Sequence, residues 1–248
     1  MSIKLRYLYR ALRYWLRVDP AELRYVGRRL RAGQVGVDVG CHKGAYTYWM
    51  RRRVGPAGEV IAFEPQPRQV EYLRTVFQSM HYTNVTLVPM GLSDTPGRLR
   101  LHIPTAAGAT HFASFVAGRS ADRSCDAIDV DVTTLDAFFG ARPRGPDFLK
   151  IDVEGHELAV LEGGRRTLEA QHPTVLIECE ARHRPDGDVR PVFERFAAIG
   201  YAGSFFHNGG RRPLAEFRGS EHQPPVSESG VLPSGYVNNF AFEHPSRM

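Results

Sequence analysis

From Gln34 onward, short apolar runs alternate with segments whose apolar residues recur at helical spacing. Strand character marks 35–39, 59–63, 84–89, 147–152, 174–179, 201–206 and 237–243, and helical periodicity marks 44–53, 67–79, 156–170 and 189–199. Strands and helices in that alternation predict an α/β fold with a doubly wound sheet. Two stretches break the pattern: Arg-Leu-Arg-Leu-His-Ile at 98–103 and Ile-Asp-Val-Asp-Val-Thr at 128–133 alternate strictly. Strict alternation means one dry face and one wet face, so these are expected as antiparallel edge strands. Between them, 104–125 is rich in Ala, Gly, Ser and Thr without a period, the mark of a functional or mobile loop. A second long loop, with Pro224, Pro225 and Pro233, spans 218–235.

The N-terminal segment has a different character. Ile3, Leu5, Leu8, Leu12, Trp15 and Leu16 recur at helical spacing, while Arg6, Arg10, Arg13 and Arg17 fall largely elsewhere around the helix. Residues 1–31 hold nine Lys or Arg against Asp19 and Glu22, more than the whole chain's surplus of five, so the remainder is slightly acidic. The chain thus divides into a basic helical segment, 1–31, and a domain over 32–248. The apolar stripe has two readings: packing on the domain or on a second subunit, or lying through residues 1–18 on an anionic membrane surface. No apolar run approaches spanning length and no cleavage-site pattern follows one, so a cytoplasmic protein is expected, with contact at the inner membrane face as the alternative.

Candidate chemistry begins at Val37-Asp38-Val39-Gly40-Cys41-His42-Lys43-Gly44-Ala45-Tyr46-Thr47. An apolar strand passes an acidic residue and turns through two glycines into a helix, which brings bare backbone close to a ligand. Phe63-Glu64-Pro65 closes the next strand with a carboxylate placed to accept both hydroxyls of a ribose. A dinucleotide fingerprint needs glycine at its first, third and sixth positions, which here hold Gly40, His42 and Ala45. The looser turn suits an adenosine ligand without phosphates. S-adenosylmethionine is one, with Asp38 near its ammonium and the Gly40–Gly44 turn beside its carboxylate.

Composition changes this picture little. Of 248 residues, 42% are hydrophobic, enough to bury the core of one enzyme domain. The pI is near 9.3, and lysine occurs only at 4, 43 and 150, an imbalance that reads as a GC-rich genome rather than phosphate recognition. Cys41, Cys125 and Cys179 form no C-x-x-C pair and are odd in number, which favours reduced thiols over a disulfide framework.

The block Phe148-Leu149-Lys150-Ile151-Asp152-Val153-Glu154-Gly155-His156-Glu157, with Gly163-Gly164 following, closely resembles the signature of FkbM-family methyltransferases. Val37–Thr47, Phe63-Glu64-Pro65, Gly91-Leu92-Ser93-Asp94 and Ile177-Glu178 match in the family's order; His42 departs from its usual Asn. The resemblance implies a class I Rossmann-like methyltransferase fold and O-methylation with S-adenosylmethionine of a saccharide, glycolipid or polyketide-type hydroxyl. It also implies a cofactor site drawn from Asp38, Gly40, Gly44, Thr47, Glu64, Gly91, Ser93, Asp94 and Asp152.

Independently of the resemblance, Asp152 ends a buried strand where open α/β sheets place ligands. Asp152, Glu154 and His156 are therefore the candidate proton acceptors, although Asp152 could serve only the cofactor and Glu154 and Glu157 only the helix N-terminus. Glu178 could reach the same cleft, and His111 could contact substrate. Carboxylates at 152, 154 and 178 could hold a divalent cation, but no Asp-Asp or Asp-Asn pair follows the strand, which favours a metal-free site. A nucleic-acid methyltransferase is the rival suggested by the basic N-terminus. Against it, Asp152-Val153-Glu154-Gly155 stands where base N-methylation commonly uses an Asn/Asp-Pro-Pro-aromatic motif, and no nucleic-acid partner is expected. A non-catalytic cofactor- or membrane-binding module is the remaining rival.

Overall fold

A computed structural model describes residues 1–105, 113–116, 125–184, 186–226 and 231–247. The chain opens with α1 (Ile3–Arg13), a π-helical turn (Tyr14–Val18) and α2 (Pro20–Arg29). Then follow β1 (Val35–Val39), α3 (Ala45–Val54), β2 (Glu59–Phe63), α4 (Pro67–Ser79), β3 (Val85–Val88) and β4 (Gly91–Leu92). A ribbon of β5 (Gly97–Pro104) and β6 (Cys125–Thr133) leads to α5 (Leu135–Gly140), β7 (Phe148–Ile151), α6 (Glu157–Glu162), α7 (Arg165–Gln171) and β8 (Thr174–Glu178). The chain closes with α8 (Arg190–Ala198), β9 (Ala202–His207), β10 (Gly210–Pro213), α9 (Gly219–His222) and β11 (Asn239–Glu243).

The main sheet has the order β10-β9-β11-β8-β7-β1-β2-β3. The five strands from β3 to β8 are parallel, and β11, β9 and β10 are antiparallel additions at one side. β1 and β7 are buried along their whole length, as helices on both faces require. The chain runs from β1 outward to β3 and then returns to β7 on the other side. Strand order therefore reverses between β1 and β7, the position at which doubly wound sheets open a crevice at their carboxyl ends.

Three expectations are corrected by the packing. The alternating stretches do pair antiparallel, over Gly97–Pro104 against Cys125–Thr133, but they form a separate three-stranded sheet with β4 rather than an edge of the main sheet. Their dry side, Leu101, Val130 and Val132, packs inward while their charged side is wet. The single helix expected over 156–170 is two, α6 and α7, broken at Gly163-Gly164. A Cβ on Gly163 would lie 2.0 Å from the Ser93 carbonyl, so the break lets the loop after β4 approach. β10, not anticipated, forms a hairpin with β9 through Asn208-Gly209, both at positive φ, a turn signal that the sequence did carry.

The N-terminal stripe also divides. α1 buries Tyr7 and Ala11, whereas Leu5, Leu12 and Leu16 remain exposed. Tyr7 meets Tyr48, Phe77 and Tyr82 edge-on, and Trp15 lies 4.5 Å from Trp49, whose indole N–H donates to the Ala11 carbonyl. Large aromatic surface with a polar tip to satisfy thus outweighed the leucines in setting which face docks. α2 places Leu23, Val26 and Leu30 in one core with Met50, Val60 and Phe148.

The loop after β1 is held where the sheet splits. Gly40 and Cys41 both donate to the Phe63 carbonyl at 3.0 Å, and the Asp152 amide donates to Val39 at 3.0 Å. Gly40 has φ +75°, and a Cβ there would stand 1.9 Å from the Asp152 carbonyl oxygen. Gly40→Ala is therefore expected to lower unfolding free energy by about 2–4 kcal/mol, from left-handed strain plus the forced separation of the two loops. Urea denaturation checks this, and an unchanged midpoint would show that the crossing is not tight.

Candidate active site

A cavity of about 520 Å³ opens at the carboxyl ends of β1, β2, β7 and β8. On one wall Asp38, buried, accepts from the Thr47 hydroxyl at 2.5 Å. Burial raises the Asp38 carboxyl to about 6, opposed by that hydrogen bond and by Lys150. Beside it the turn carries His42 at φ +47°, and its amide donates to Glu64 Oε2 at 2.7 Å. Glu64 Oε1 accepts from the Gln66 amide at 2.9 Å. Burial pushes Glu64 up to about 7 even so. Each of its oxygens has a second lone pair, so the carboxylate is oriented by the backbone and can still accept two hydroxyls.

The opposite wall is built around Lys150. Its ammonium, buried at the end of β7, lies 2.8 Å from Asp152 Oδ2 and 5.0 Å from the Tyr46 ring centroid. Desolvation alone would lower Lys150, but Asp152 and Glu178 outweigh it and hold the amine well above its ordinary value. Glu178, ending β8, accepts from Asn238 Nδ2 at 3.0 Å, and burial followed by the Asp152 charge drives its carboxyl well above the usual range. Carboxylate oxygens of Asp152, Glu154 and Glu178 lie within 4.8 Å of one another, close enough to share a proton or a cation. Glu154 sits at φ +54° with Oε2 3.1 Å from His183 Nδ1.

Other walls come from elements that sequence reasoning did not connect to the site. The π-helical turn, closed by the Asp19 amide donating to the Tyr14 carbonyl, sets Tyr14, Val18 and Asp19 into the cavity. Asp19 accepts from the Tyr46 hydroxyl at 2.9 Å. Arg10, Arg13 and Lys43 line the cavity without a carboxylate partner among the described residues. Met90, Leu101 and Phe115 supply an apolar side. Lys150 carried a signal, being one of three lysines and the only charge in a buried strand. Arg10, Arg13 and Asp19 carried none, because helix periodicity does not say which distant loop a residue faces.

Of the candidate residues named from the sequence, Asp38, Gly40, Glu64, Gly91, Asp152, Glu154 and Glu178 line the cavity. Gly44 and Thr47 stand behind it: Gly44 at φ +74° begins α3, and Thr47 orients Asp38. Ser93 and His156 pair with each other at 2.9 Å beyond the cavity wall, with the His156 ring 5.0 Å from Phe115. Burial lowers the His156 pKa. Asp94 is exposed and accepts from Ser93 and Thr95. His111 lies outside the described residues.

Glu157 stabilises the turn beneath the site. Its Oε1 accepts from the Gly155 amide at 2.7 Å, while its buried Oε2 has no partner among the described residues. Burial raises it from an ordinary value of 4.5 to about 7. Over that interval the folded chain holds a proton that the unfolded chain has released. The group's contribution to stability is therefore full below about pH 4.5 and is lost as pH rises towards 7. Glu157→Gln is expected to shrink the loss of stability between acid and alkaline pH by on the order of 1–3 kcal/mol. Denaturant titrations at both ends of the range read this directly, and an unaltered pH dependence would place the charge elsewhere.

The sequence profile of the methyltransferase FkbM domain matches residues 38–205, which include every cavity carboxylate except Asp19. No curated protein matches the chain. Among solved structures, the chain is similar to an FkbM methyltransferase from Methylobacillus flagellatus, at 18% identity and TM-score 0.53, covering 98% of this chain and 55% of that one. The chain therefore spans little more than half the length of that relative. An O-methyltransferase from Bacillus cereus in complex with S-adenosylhomocysteine is similar at 13% identity and TM-score 0.53, covering 98% and 90%. A Clostridium thermocellum protein, provisionally described as an rRNA methylase, has 10% identity and TM-score 0.50, covering 90% and 93%. At these identities the likeness is one of fold, and the profile match over more than half the sequence carries the assignment. Sheet order, split loop and sequence profile agree: the chain belongs to the FkbM methyltransferase family and has the class I fold of S-adenosylmethionine-dependent methyltransferases.

Proposed function

We propose that the chain transfers a methyl group from S-adenosylmethionine to a hydroxyl of a small-molecule, sugar or lipid-linked acceptor, of saccharide, glycolipid or polyketide type. The observation that carries this reading is the cavity itself, with an oriented carboxylate, Glu64, on one wall and the Lys150–Asp152 pair on the other. The residues fit the cofactor by their chemistry. Glu64 keeps free lone pairs for ribose hydroxyls, Asp38 offers a negative charge for an ammonium, and Gly40 leaves the backbone bare beside them. S-adenosylmethionine supplies a methyl already activated by its sulfonium. The chain has to align an oxygen with that carbon and take up the hydroxyl proton.

Proton uptake falls to the Asp152–Glu154–Glu178 cluster. Three carboxylates this close cannot all be charged at low cost, which favours a shared proton in the cluster, and burial with the Asp152 charge raises the Glu178 carboxyl. Lys150 already supplies one positive charge there, at 2.8 Å from Asp152, and repels a divalent cation from the cluster. His156, turned towards Ser93, supports the wall rather than the proton transfer.

Calorimetry is expected to show binding of S-adenosylhomocysteine, with Glu64→Ala weakening it by about 1.5–3 kcal/mol for each charged hydrogen bond lost. NAD binding tighter than S-adenosylhomocysteine would overturn the cofactor assignment.

A methyl-release assay across sugar, lipid-linked, polyketide and RNA acceptors tests the reaction. Asp152→Asn or Glu178→Gln is expected to cut turnover about 10²–10⁴-fold, and His156→Asn by roughly tenfold or less. Activity should survive exhaustive chelation. Loss of turnover on chelation would move the cluster's role to metal binding, and transfer to RNA alone would replace the acceptor class.

A further inference from the structure

α1 is anchored by one face and leaves the opposite face without a partner among the described residues. Tyr7 and Ala11 are fully buried. On the far side Leu5, Tyr9, Leu12 and Leu16 are 56%, 60%, 49% and 61% exposed, and Met1 is 77% exposed. Spacings of four, three and four residues put those side chains in one line along the helix. Because the inner face is held by Tyr48, Phe77 and Tyr82, the line is a fixed feature of the surface rather than the outer side of a loose terminus. An apolar row of this kind on a helix is costly in water and calls for an occupant.

The charges beside it select the occupant. Lys4, Arg6, Arg13 and Arg17 are exposed next to the row, and residues 1–18 contain no Asp or Glu. Arg10 and Arg13 continue this basic side into the cavity. Pairing with a second copy through this face would bring two sets of arginines together, with no acid in residues 1–18 to compensate. An anionic lipid surface satisfies both parts, taking the apolar row at the acyl boundary and the arginines among headgroup phosphates. We propose that α1 and the π-helical turn dock on an anionic bilayer surface through Leu5, Tyr9, Leu12 and Leu16, with Arg6, Arg13 and Arg17 on the headgroups. Trp15, held against Trp49, stays with the protein. Docking in this way sets the arginine-lined side of the cavity at the lipid headgroups, so an acceptor anchored in the bilayer has a direct approach.

Sedimentation of the full chain with vesicles tests this without cofactor or acceptor, so it succeeds or fails independently of the methyl-transfer reading. The chain is expected to pellet with phosphatidylglycerol–phosphatidylcholine vesicles, to remain in solution with pure phosphatidylcholine, and to be released as salt is raised. Leu5→Ser/Leu12→Ser should cut the partition coefficient about tenfold or more, and Arg6→Ser/Arg17→Ser about fivefold per residue. These side chains are exposed, so both variants should melt like the parent, which separates lost docking from lost folding. Three results would overturn the proposal: no pelleting with anionic vesicles, pelleting unchanged in both variants, or a dimer in ultracentrifugation that Leu5→Ser/Leu12→Ser dissociates while vesicles are ignored.

Discussion

Everything around the cavity depends on the close crossing of two backbones, at Gly40 after β1 and at Asp152 after β7. A Cβ at position 40 would stand 1.9 Å from the Asp152 carbonyl, so no other residue type lets the two loops cross at this distance. The contact sits where the sheet reverses its order, and it decides how far apart the two loops begin. From there the loop after β1 reaches Glu64 through the His42 amide, while the strand end at β7 delivers Lys150 and Asp152. Asp38, Glu64, Asp152 and Glu178, scattered over 140 positions of sequence, become walls of one space.

The strand-end groups of that space are mostly acidic. Asp38, Glu64 and Glu178 are all raised by burial, and the strongly held cation among them is Lys150. Carboxylates brought together in a dry site repel one another and lose hydration, and backbone amides and the buried Lys150 ammonium compensate only in part, while Arg10, Arg13 and Lys43 line the same cavity. Such an arrangement costs stability in the absence of ligand. It is suited to a cofactor that is itself cationic.

The N-terminal segment links this chemistry to the outer surface. The π-helical turn, by adding a residue to one turn, places Tyr14 and Asp19 in the cavity while α1 before it faces outward. Tyr46 joins the two parts, with its hydroxyl on Asp19 and its ring beneath Lys150. A helix that encloses the site on its inner side and carries an apolar row on its outer side connects the cavity to whatever that row contacts.

Much of this was legible in the sequence, because local pattern reports local structure. Strand and helix alternation, the Asp38–Gly40–Gly44 turn and the carboxylates at 64 and 152 follow from periodicity and from residue types that particular backbone conformations require. Other features depended on tertiary contacts that no window of sequence contains. Alternation showed that 97–104 and 125–133 each have one dry face, but which surface that face covers was decided by packing over β4. Helical spacing grouped Ile3, Leu5, Leu8, Leu12, Trp15 and Leu16, yet the aromatic pocket of Tyr48, Phe77 and Tyr82 took Tyr7 and turned Leu5, Leu12 and Leu16 outward. Proximity on the turn grouped Asp152, Glu154 and His156, with Glu178 as a further candidate for the cleft, while the fold sent His156 to Ser93 and brought Lys150 in beside Asp152 and Glu178. The sequence by itself determined which segments form strands and helices and where the tight turns at the strand ends fall, since those depend on neighbouring residues. Only the tertiary structure decided which side chains share the cavity, since that depends on long-range contacts closing two loops to within one missing Cβ.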